Sequence, residues 1–263
     1  MLSYQHIYHA GNLADVHKHA LLSCVLSYLT RKDKPLTYIE THAGRGLYDL
    51  TDAEAQKTGE AQAGVLRLLS HFEADHPYPQ AVQSVREKHG PNAYPGSPMI
   101  ATEVLRPDDV IHLAELHPAE AQALARHMTG TTAKVHKQNG FNLAHAMTPP
   151  QPRRGVMLID PSYEIKTDYS DIPRHITKLA RAWNVGIIML WYPILFDQRQ
   201  KPMVAAIRAA HDTAMCHEIR FPPARKGHGM VGSGMFVIRP TFGLEAEINR
   251  LDAAFGALDK REG

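Results

Sequence analysis

The sequence predicts an α/β fold, with one mixed sheet of seven strands, helices between most of them, and a small helical insertion. Three observations lead there. The apolar run Gly155 to Ile159 halts at Asp160-Pro161, and a run of that length bounded by Gly and a turn signal fits a strand buried on both faces. A second run, Leu36 to Thr41, delivers straight into the glycine-rich His42-Ala43-Gly44-Arg45-Gly46. Five such runs alternate with helix-length segments, whereas Thr213 to Arg220 and Gly234 to Arg239 have no helix between them and are expected to pair antiparallel at one edge. A TIM barrel needs eight repeats and does not fit.

Each element has its own local reason. Residues 1 to 12 read as an arm ordered by contact, and Asn12 as the N-cap of a helix to about Leu29 with Val16, Ala20, Cys24 and Tyr28 on one stripe. The first strand, Leu36 to Thr41, meets Gly44 and Gly46, which let the backbone turn tightly and approach a ligand. The loop lacks the G-x-G-x-x-G dinucleotide fingerprint. Asp49 to Tyr94 has helical composition with P-Y-P and H-G-P-N breaks and reads as an insertion. The next strand, Val110 to Ala114, ends at Glu115. Mononucleotide-binding folds place an acidic residue about twenty positions past the glycine loop, on the ribose hydroxyls. Gly44 and Glu115 are about seventy apart, and removing the insertion restores the usual distance.

Pro118 and Gly130 bracket a helix. Ala133 to Lys137 is a strand leading to the Asn139-Gly140-Phe141 loop. After the Gly155 strand come a helix over Ile172 to Trp183, a strand from Val185 to Trp191 ending in Tyr192-Pro193, and a helix over Asp197 to His211. Between the last two strands lies a Gly-rich basic loop, P-P-A-R-K-G-H-G-M-V-G-S, and a final amphipathic helix runs from Leu244 to about Leu258.

Composition narrows the class. At 263 residues the chain suits one good-sized α/β domain. Two cysteines, Cys24 and Cys216, make no disulfide framework and point to a reducing compartment. The polar start carries no secretory signal pattern, and the longest apolar run contains Pro193 and is too short to span a bilayer, so a soluble cytoplasmic protein is expected. A net charge of +2 does not announce a nucleic-acid binder. Of seventeen histidines, His17 and His19 fall on different faces of a helix, and no H-x-x-x-H or cysteine pair joins them, so no metal is expected.

In α/β sheets ligands sit beyond the carboxyl ends of the strands, which places Asp160, Pro161 and Tyr163 at the mouth of a site. From the residues alone Asp-Pro equally stops a strand, and Tyr163 equally serves the core. The stretch Asp160-Pro161-Ser162-Tyr163 resembles the D/N-P-P-Y/F motif of methyltransferases that modify exocyclic amines of bases using S-adenosylmethionine, with Ser162 departing from Pro.

The resemblance extends along the chain. The run L-S-Y-Q-H-I-Y-H-A-G-N-L-A-D-V-H-K-H, then T-H-A-G-R-G, Y-P-G-S-P, A-E-L-H-P, I-D-P-S-Y-E-I-K-T-D-Y, L-W-Y-P and S-G-M resemble, in order, the bacterial large-subunit ribosomal RNA methyltransferase J family. That resemblance implies a class I S-adenosylmethionine-dependent methyltransferase, Rossmann-like, made of residues 1–48 and 95–263 with a helical insertion subdomain at 49–94. It implies methyl transfer to N6 of one adenine in 23S ribosomal RNA by a cytoplasmic, metal-free enzyme, here expected to be a monomer. Carried over by position, His19, His42, Gly44 and Ser97 contact the methyl donor, Glu115 its ribose, and the Asn139-Gly140 loop its adenine. The family has Asp at position 139; Asn keeps an acceptor and loses the charge. Asp160 becomes the catalytic residue and Tyr4 a substrate contact.

The chemistry explains the residue types. The adenine amine is a poor nucleophile because its lone pair is delocalised. Acceptors at the Asp160 carboxylate and the Pro161 carbonyl favour a pyramidal nitrogen aimed at the methyl group, and Tyr163 offers a face to the extruded base. The geometry needs the Pro161 carbonyl, so Ser162 is tolerated with some loss of rigidity. Arg153, Arg154, Lys166, Arg225 and Lys226 are candidates for phosphate contact. A DNA or protein methyltransferase shares the four-residue motif, a nucleotide-binding oxidoreductase shares the sheet, and an inactive RNA-binding module would suit Ser162 and Asn139.

Overall fold

The computed structural model describes residues 4–224 and 227–259. Helix α1 (Leu13–Thr30) starts where expected, with the Asn12 side chain accepting the Asp15 N–H at 2.9 Å. It is buried on every side rather than along one stripe, because the sheet, the insertion and the C-terminal helix enclose it. Strand β1 (Thr37–Glu40) is buried throughout. Then β2 (Leu47–Asp49) opens the insertion, which holds α2 (Ala53–Thr58), α3 (Glu60–Ala63), α4 (Val65–Leu68) and α5 (Pro77–His89). It closes on β3 (Ala93–Pro95), antiparallel to β2. This hairpin is a correction: the segment carries two short strands that composition did not signal, since three residues are too few to show an alternation.

Next follow α6 (Ser97–Val104), β4 (Val110–Ala114), α7 (Pro118–His127), β5 (Ala133–His136), α8 (Gly140–Met147) and β6 (Gly155–Ile159). The chain ends with α9 (Asp168–Ala182), β7 (Ile187–Leu195), α10 (Lys201–Ala210), β8 (Met215–Arg220), β9 (Met230–Ile238) and α11 (Leu244–Asp259). The Asn139-Gly140-Phe141 stretch, read as a loop, is the start of α8, and α6 was not foreseen. Strand β7 runs through Pro193 instead of stopping there. Its parallel pairing to β6 has already ended at Leu190, and only β9 continues alongside, so the missing N–H falls where an edge begins.

The seven-stranded sheet has the order β5-β4-β1-β6-β7-β9-β8, parallel from β5 to β7 and antiparallel at β9 and β8. The antiparallel edge pair is as the missing crossover helix predicts. The insertion shares its core with the sheet: Leu68, Tyr78 and Val85 pack with Leu21, Leu22 and Leu113. It also grips the arm. Gly11, at φ +75°, accepts the Val65 N–H at 2.7 Å, and a Cβ on Gly64 would stand 2.1 Å from the Gly11 oxygen. Among the described residues no helix is long and apolar enough to cross a membrane.

Candidate active site

Strand order reverses at β1, whose neighbours are β4 and β6, and a crevice opens where the loops after these strands diverge. It holds a cavity of about 380 Å3, within the roughly 300–1,000 Å3 usual for small-molecule sites. Every candidate for catalysis, donor binding or contact with the target base lines it, from Tyr4 on the arm to Tyr163 beyond β6, whereas Arg153, Arg154 and Lys166 do not.

The glycine loop forms one wall. Gly44 sits at φ +59°, and a Cβ there would meet the Tyr48 hydroxyl at 2.8 Å. Its N–H donates to Glu115 at 2.8 Å, and the other Glu115 oxygen accepts the His117 N–H at 2.7 Å. Burial raises the Glu115 pKa while these backbone donors oppose it. His42 pairs with the Thr41 hydroxyl at 2.7 Å, and burial lowers its pKa to about 4, which leaves a neutral ring. His19 is also neutral, lowered by burial to about 3. Its Nδ1 meets the Tyr94 hydroxyl at 2.9 Å, while its buried Nε2 has no hydrogen-bond partner among the described residues. That Nε2 lies 3.8 Å from Asp15 Oδ1, too far for a hydrogen bond, and the residue lines the cavity.

Three candidates have structural duties as well. The Ser97 hydroxyl donates to Glu40, which also accepts from Tyr38 at 2.8 Å. Glu40 is fully buried at the end of β1, and burial pushes its pKa up to about 8. Asn139 is the N-cap of α8, accepting the Asn142 N–H at 3.1 Å. Gly140 is required by packing: a Cβ there would lie 1.9 Å from the Thr41 oxygen.

Asp160 anchors a chain that the sequence did not reveal. Its Oδ2 accepts from Lys18 Nζ at 2.7 Å, and the same ammonium lies 3.0 Å from Asp15 Oδ1. Asp15 Oδ2 meets His6 Nε2 at 2.8 Å, and His6 Nδ1 meets the Tyr4 hydroxyl at 2.8 Å. Burial opposes the charge on Lys18, yet the two carboxylates raise its pKa above the ordinary value. Burial likewise opposes the charge on Asp15, and His6 and Lys18 outweigh it, so its pKa falls well below normal. The Tyr4 N–H donates to Glu164 at 3.0 Å, which ties the arm to the loop after β6. Asp15, Lys18 and His19 recur at helical spacing in an otherwise apolar segment; a buried charge cluster was the available signal.

Tyr163 has φ 57° and is only 8 % exposed. Its ring packs 4.8 Å from Tyr169 and 6.1 Å from Trp191, and its hydroxyl donates to the Trp191 carbonyl at 2.8 Å. It is core and cavity wall at once. The basic candidates divide. Arg154 binds the Leu29 and Lys34 carbonyls and Arg153 reaches Asn184, all at the amino ends of the strands. Both precede β6, so they lie at the end of the sheet opposite the cavity, and their expected place at the mouth is corrected. Lys166 is exposed beside the cavity-lining Ile165, whereas Arg225 and Lys226 fall outside the described residues.

Away from the cavity, Cys24, His76 and Glu247 converge. His76 Nδ1 accepts the Tyr78 N–H, so the ring proton sits on Nε2 and points at Glu247, 3.0 Å away. Arg250 pairs with the same carboxylate, so a cation would have to displace that proton against a neighbouring positive charge.

Comparison with known proteins shows which family the chain falls in. A family model described as ribosomal RNA large subunit methyltransferase D, RlmJ, matches residues 33–255. Ribosomal RNA large subunit methyltransferase J of Escherichia coli is 38 % identical over 95 % of this chain and 91 % of its own length. The Haemophilus influenzae protein of that name is 35 % identical over 95 % and 92 %. The crystal structure of protein LPL1258 from Legionella pneumophila superposes with a TM-score of 0.84 at 33 % identity, covering 94 % of each chain. With the family model and both relatives matched across nearly its whole length, the chain belongs to the ribosomal RNA large subunit methyltransferase J family.

Proposed function

We propose that this protein transfers a methyl group from S-adenosylmethionine to the exocyclic N6 amine of an adenine in 23S ribosomal RNA. Family membership supports the reaction class and the ribosomal RNA acceptor. The observation that carries the residue assignment is Asp160-Pro161 at the carboxyl end of β6, facing the cavity beside the glycine loop. When bound, S-adenosylmethionine supplies an electrophilic methyl group on a sulfonium. The residues present fit it: the orphaned His19 Nε2, the Gly44 backbone and Glu115 line the cavity wall, with His42, Ser97, Asn139 and Gly140 around it.

Asp160 and the Pro161 carbonyl accept the two amine hydrogens, which localises the nitrogen lone pair for attack. Lys18 fixes the Asp160 carboxylate through Oδ2 and compensates its charge where both side chains are largely buried. Asp160 then receives the amine proton, directly or through water. Tyr163 forms the wall against which the extruded base rests, and Tyr4, held by His6 and Glu164, closes the opposite side. The insertion at 49–94 braces the arm that delivers Tyr4. The RNA substrate places the reaction in the cytoplasm, and the chain works as a monomer without metal.

The test is transfer of labelled methyl from S-adenosylmethionine to unmodified 23S ribosomal RNA, followed by nucleoside mass spectrometry. N6-methyladenosine from the wild type, and none from Asp160→Asn with donor binding retained, is the expected result. Near-normal turnover by Asp160→Asn would sink the catalytic assignment, and methylation at a different atom would sink the acceptor.

A further inference from the structure

Three large apolar side chains at the carboxyl ends of the strands remain bare: Leu116, Ile165 and Phe196, the last 82 % exposed. Leu116 and Ile165 line the cavity, whereas Phe196 stands outside it on the loop between β7 and α10. That loop is built rather than slack. The Phe196 N–H donates to Gly229 at 2.9 Å, and the Gln198 N–H returns to Leu195 at 3.0 Å. Gln200, 2 % exposed, accepts the Leu195 N–H. Gln198 holds φ 59°, a conformation that a non-glycine residue keeps only when its surroundings impose it. Order is thus invested in holding one aromatic ring in water.

Its neighbours say what the ring meets. Leu195 at the end of β7 and Arg199 of the loop that follows line the cavity, as do Ile165 of the loop after β6 and Tyr169 in the first turn of α9. Arg199 is exposed and paired to Asp197 at 2.8 Å, and Lys166 is exposed next to Ile165. Trp191, Tyr163 and Tyr169 line the cavity in ring contact with one another, Tyr163 lying 6.1 Å from Trp191 and 4.8 Å from Tyr169, and Phe196 is exposed on the adjoining loop. Aromatic faces interleaved with cations suit unpaired nucleotides, whose bases stack while their phosphates meet Arg and Lys.

We propose that the Phe196 ring, with Arg199 three residues on in the same loop, is a stacking platform for an unpaired base flanking the target adenine. Drawing the adenine out of its stack leaves a neighbour without a partner, and Phe196 supplies the missing face. The proposal rests on the RNA-acceptor reading and deepens it: the substrate segment is single-stranded around the modified base.

The test is binding of a fluorescein-labelled single-stranded oligoadenylate, and of the same strand paired to its complement, read by anisotropy. Wild type and Phe196→Tyr are expected to prefer the single strand. Phe196→Ala is expected to weaken single-strand binding roughly 5- to 100-fold, with S-adenosylmethionine binding unchanged as the control for folding. Equal binding by Phe196→Ala and wild type, or no preference of wild type for the single strand, would overturn the proposal. Methyl transfer to 23S ribosomal RNA by the same proteins separates the two readings. Phe196-dependent binding without N6-methyladenosine would support the platform while refuting the acceptor assignment.

Discussion

Lys18 Nζ lies 2.7 Å from Asp160 Oδ2 and 3.0 Å from Asp15 Oδ1, so one buried ammonium links the candidate catalytic carboxylate to the base of the N-terminal arm. Removing one partner of a buried ion pair strands the other, at a cost of about 3–5 kcal/mol. Lys18→Met is therefore expected to lower the melting temperature by roughly 10 °C and transfer by roughly a hundredfold or more. Thermal melts and single-turnover rates check both. Combining it with Asp160→Asn should show coupling of about 0.5–3 kcal/mol; strict additivity would mean that the two groups act apart.

Glu40 and the two site histidines give opposite pH dependences. The Glu40 pKa lies above its unfolded value, at about 8, so its stabilising share is complete below the ordinary carboxylate range and is lost as pH rises through 8. His19 and His42 lie below their unfolded value of 6.5, at about 3 and 4, so their share is present above 6.5 and is lost as pH falls. Between pH 6.5 and 8 the Glu40 effect acts alone among the three. Stability in urea is expected to fall across that window by on the order of 1 kcal/mol per pH unit. Glu40→Gln, which keeps an acceptor for Tyr38 or Ser97, should flatten the slope; an unchanged slope would mean that another group titrates there.

The same contrast shows what the sequence made legible. The place of each strand of the large sheet, and Asn12 as the cap of α1, was readable because apolar runs and capping residues act locally. So was the convergence of Glu115 on the glycine loop, once the insertion was subtracted. Strand β9, however, begins at Met230, inside the stretch read as a Gly-rich loop, because its glycines hide a segment that pairs with β7 and β8. The partner of Lys18 was not readable: its helical spacing with Asp15 and His19 hinted at a buried charge cluster, but the carboxylate that completes the pair, Asp160, lies 142 positions away. Gly140 looked like a ligand-loop glycine, but the Thr41 backbone that demands it follows β1, distant in sequence. Arg153 and Arg154 were misplaced because proximity along the chain to Asp160 hides that they sit at the other end of the same strand.

Gly140→Ala tests that packing. A Cβ 1.9 Å from the Thr41 oxygen cannot be relieved by a rotamer, so α8 must shift away from β1. The expected cost is about 1–3 kcal/mol or more, and the displaced Asn139 loop should weaken S-adenosylmethionine binding about tenfold. Calorimetric titration checks the affinity. A variant with native donor affinity and a lowered melting temperature would remove the Asn139-Gly140 segment from the donor site while leaving its packing role intact.

Tyr163 joins a packing duty to a proposed substrate duty, and two substitutions separate them. Its hydroxyl donates to the Trp191 carbonyl, and its ring fills the space between Tyr169 and Trp191. Tyr163→Phe leaves that carbonyl without its donor, for about 1–3 kcal/mol, but keeps the ring that walls the cavity. Turnover on 23S ribosomal RNA is therefore expected to stay within a few-fold of wild type. Tyr163→Ala removes the ring, for about 3–5 kcal/mol of stability, so activity must be read well below the melting temperature with donor binding as the control. If the ring supports the extruded base, Tyr163→Ala loses turnover while its folded fraction still binds the donor. If the ring only fills the core, the folded fraction retains wild-type turnover, and the substrate role assigned to Tyr163 falls.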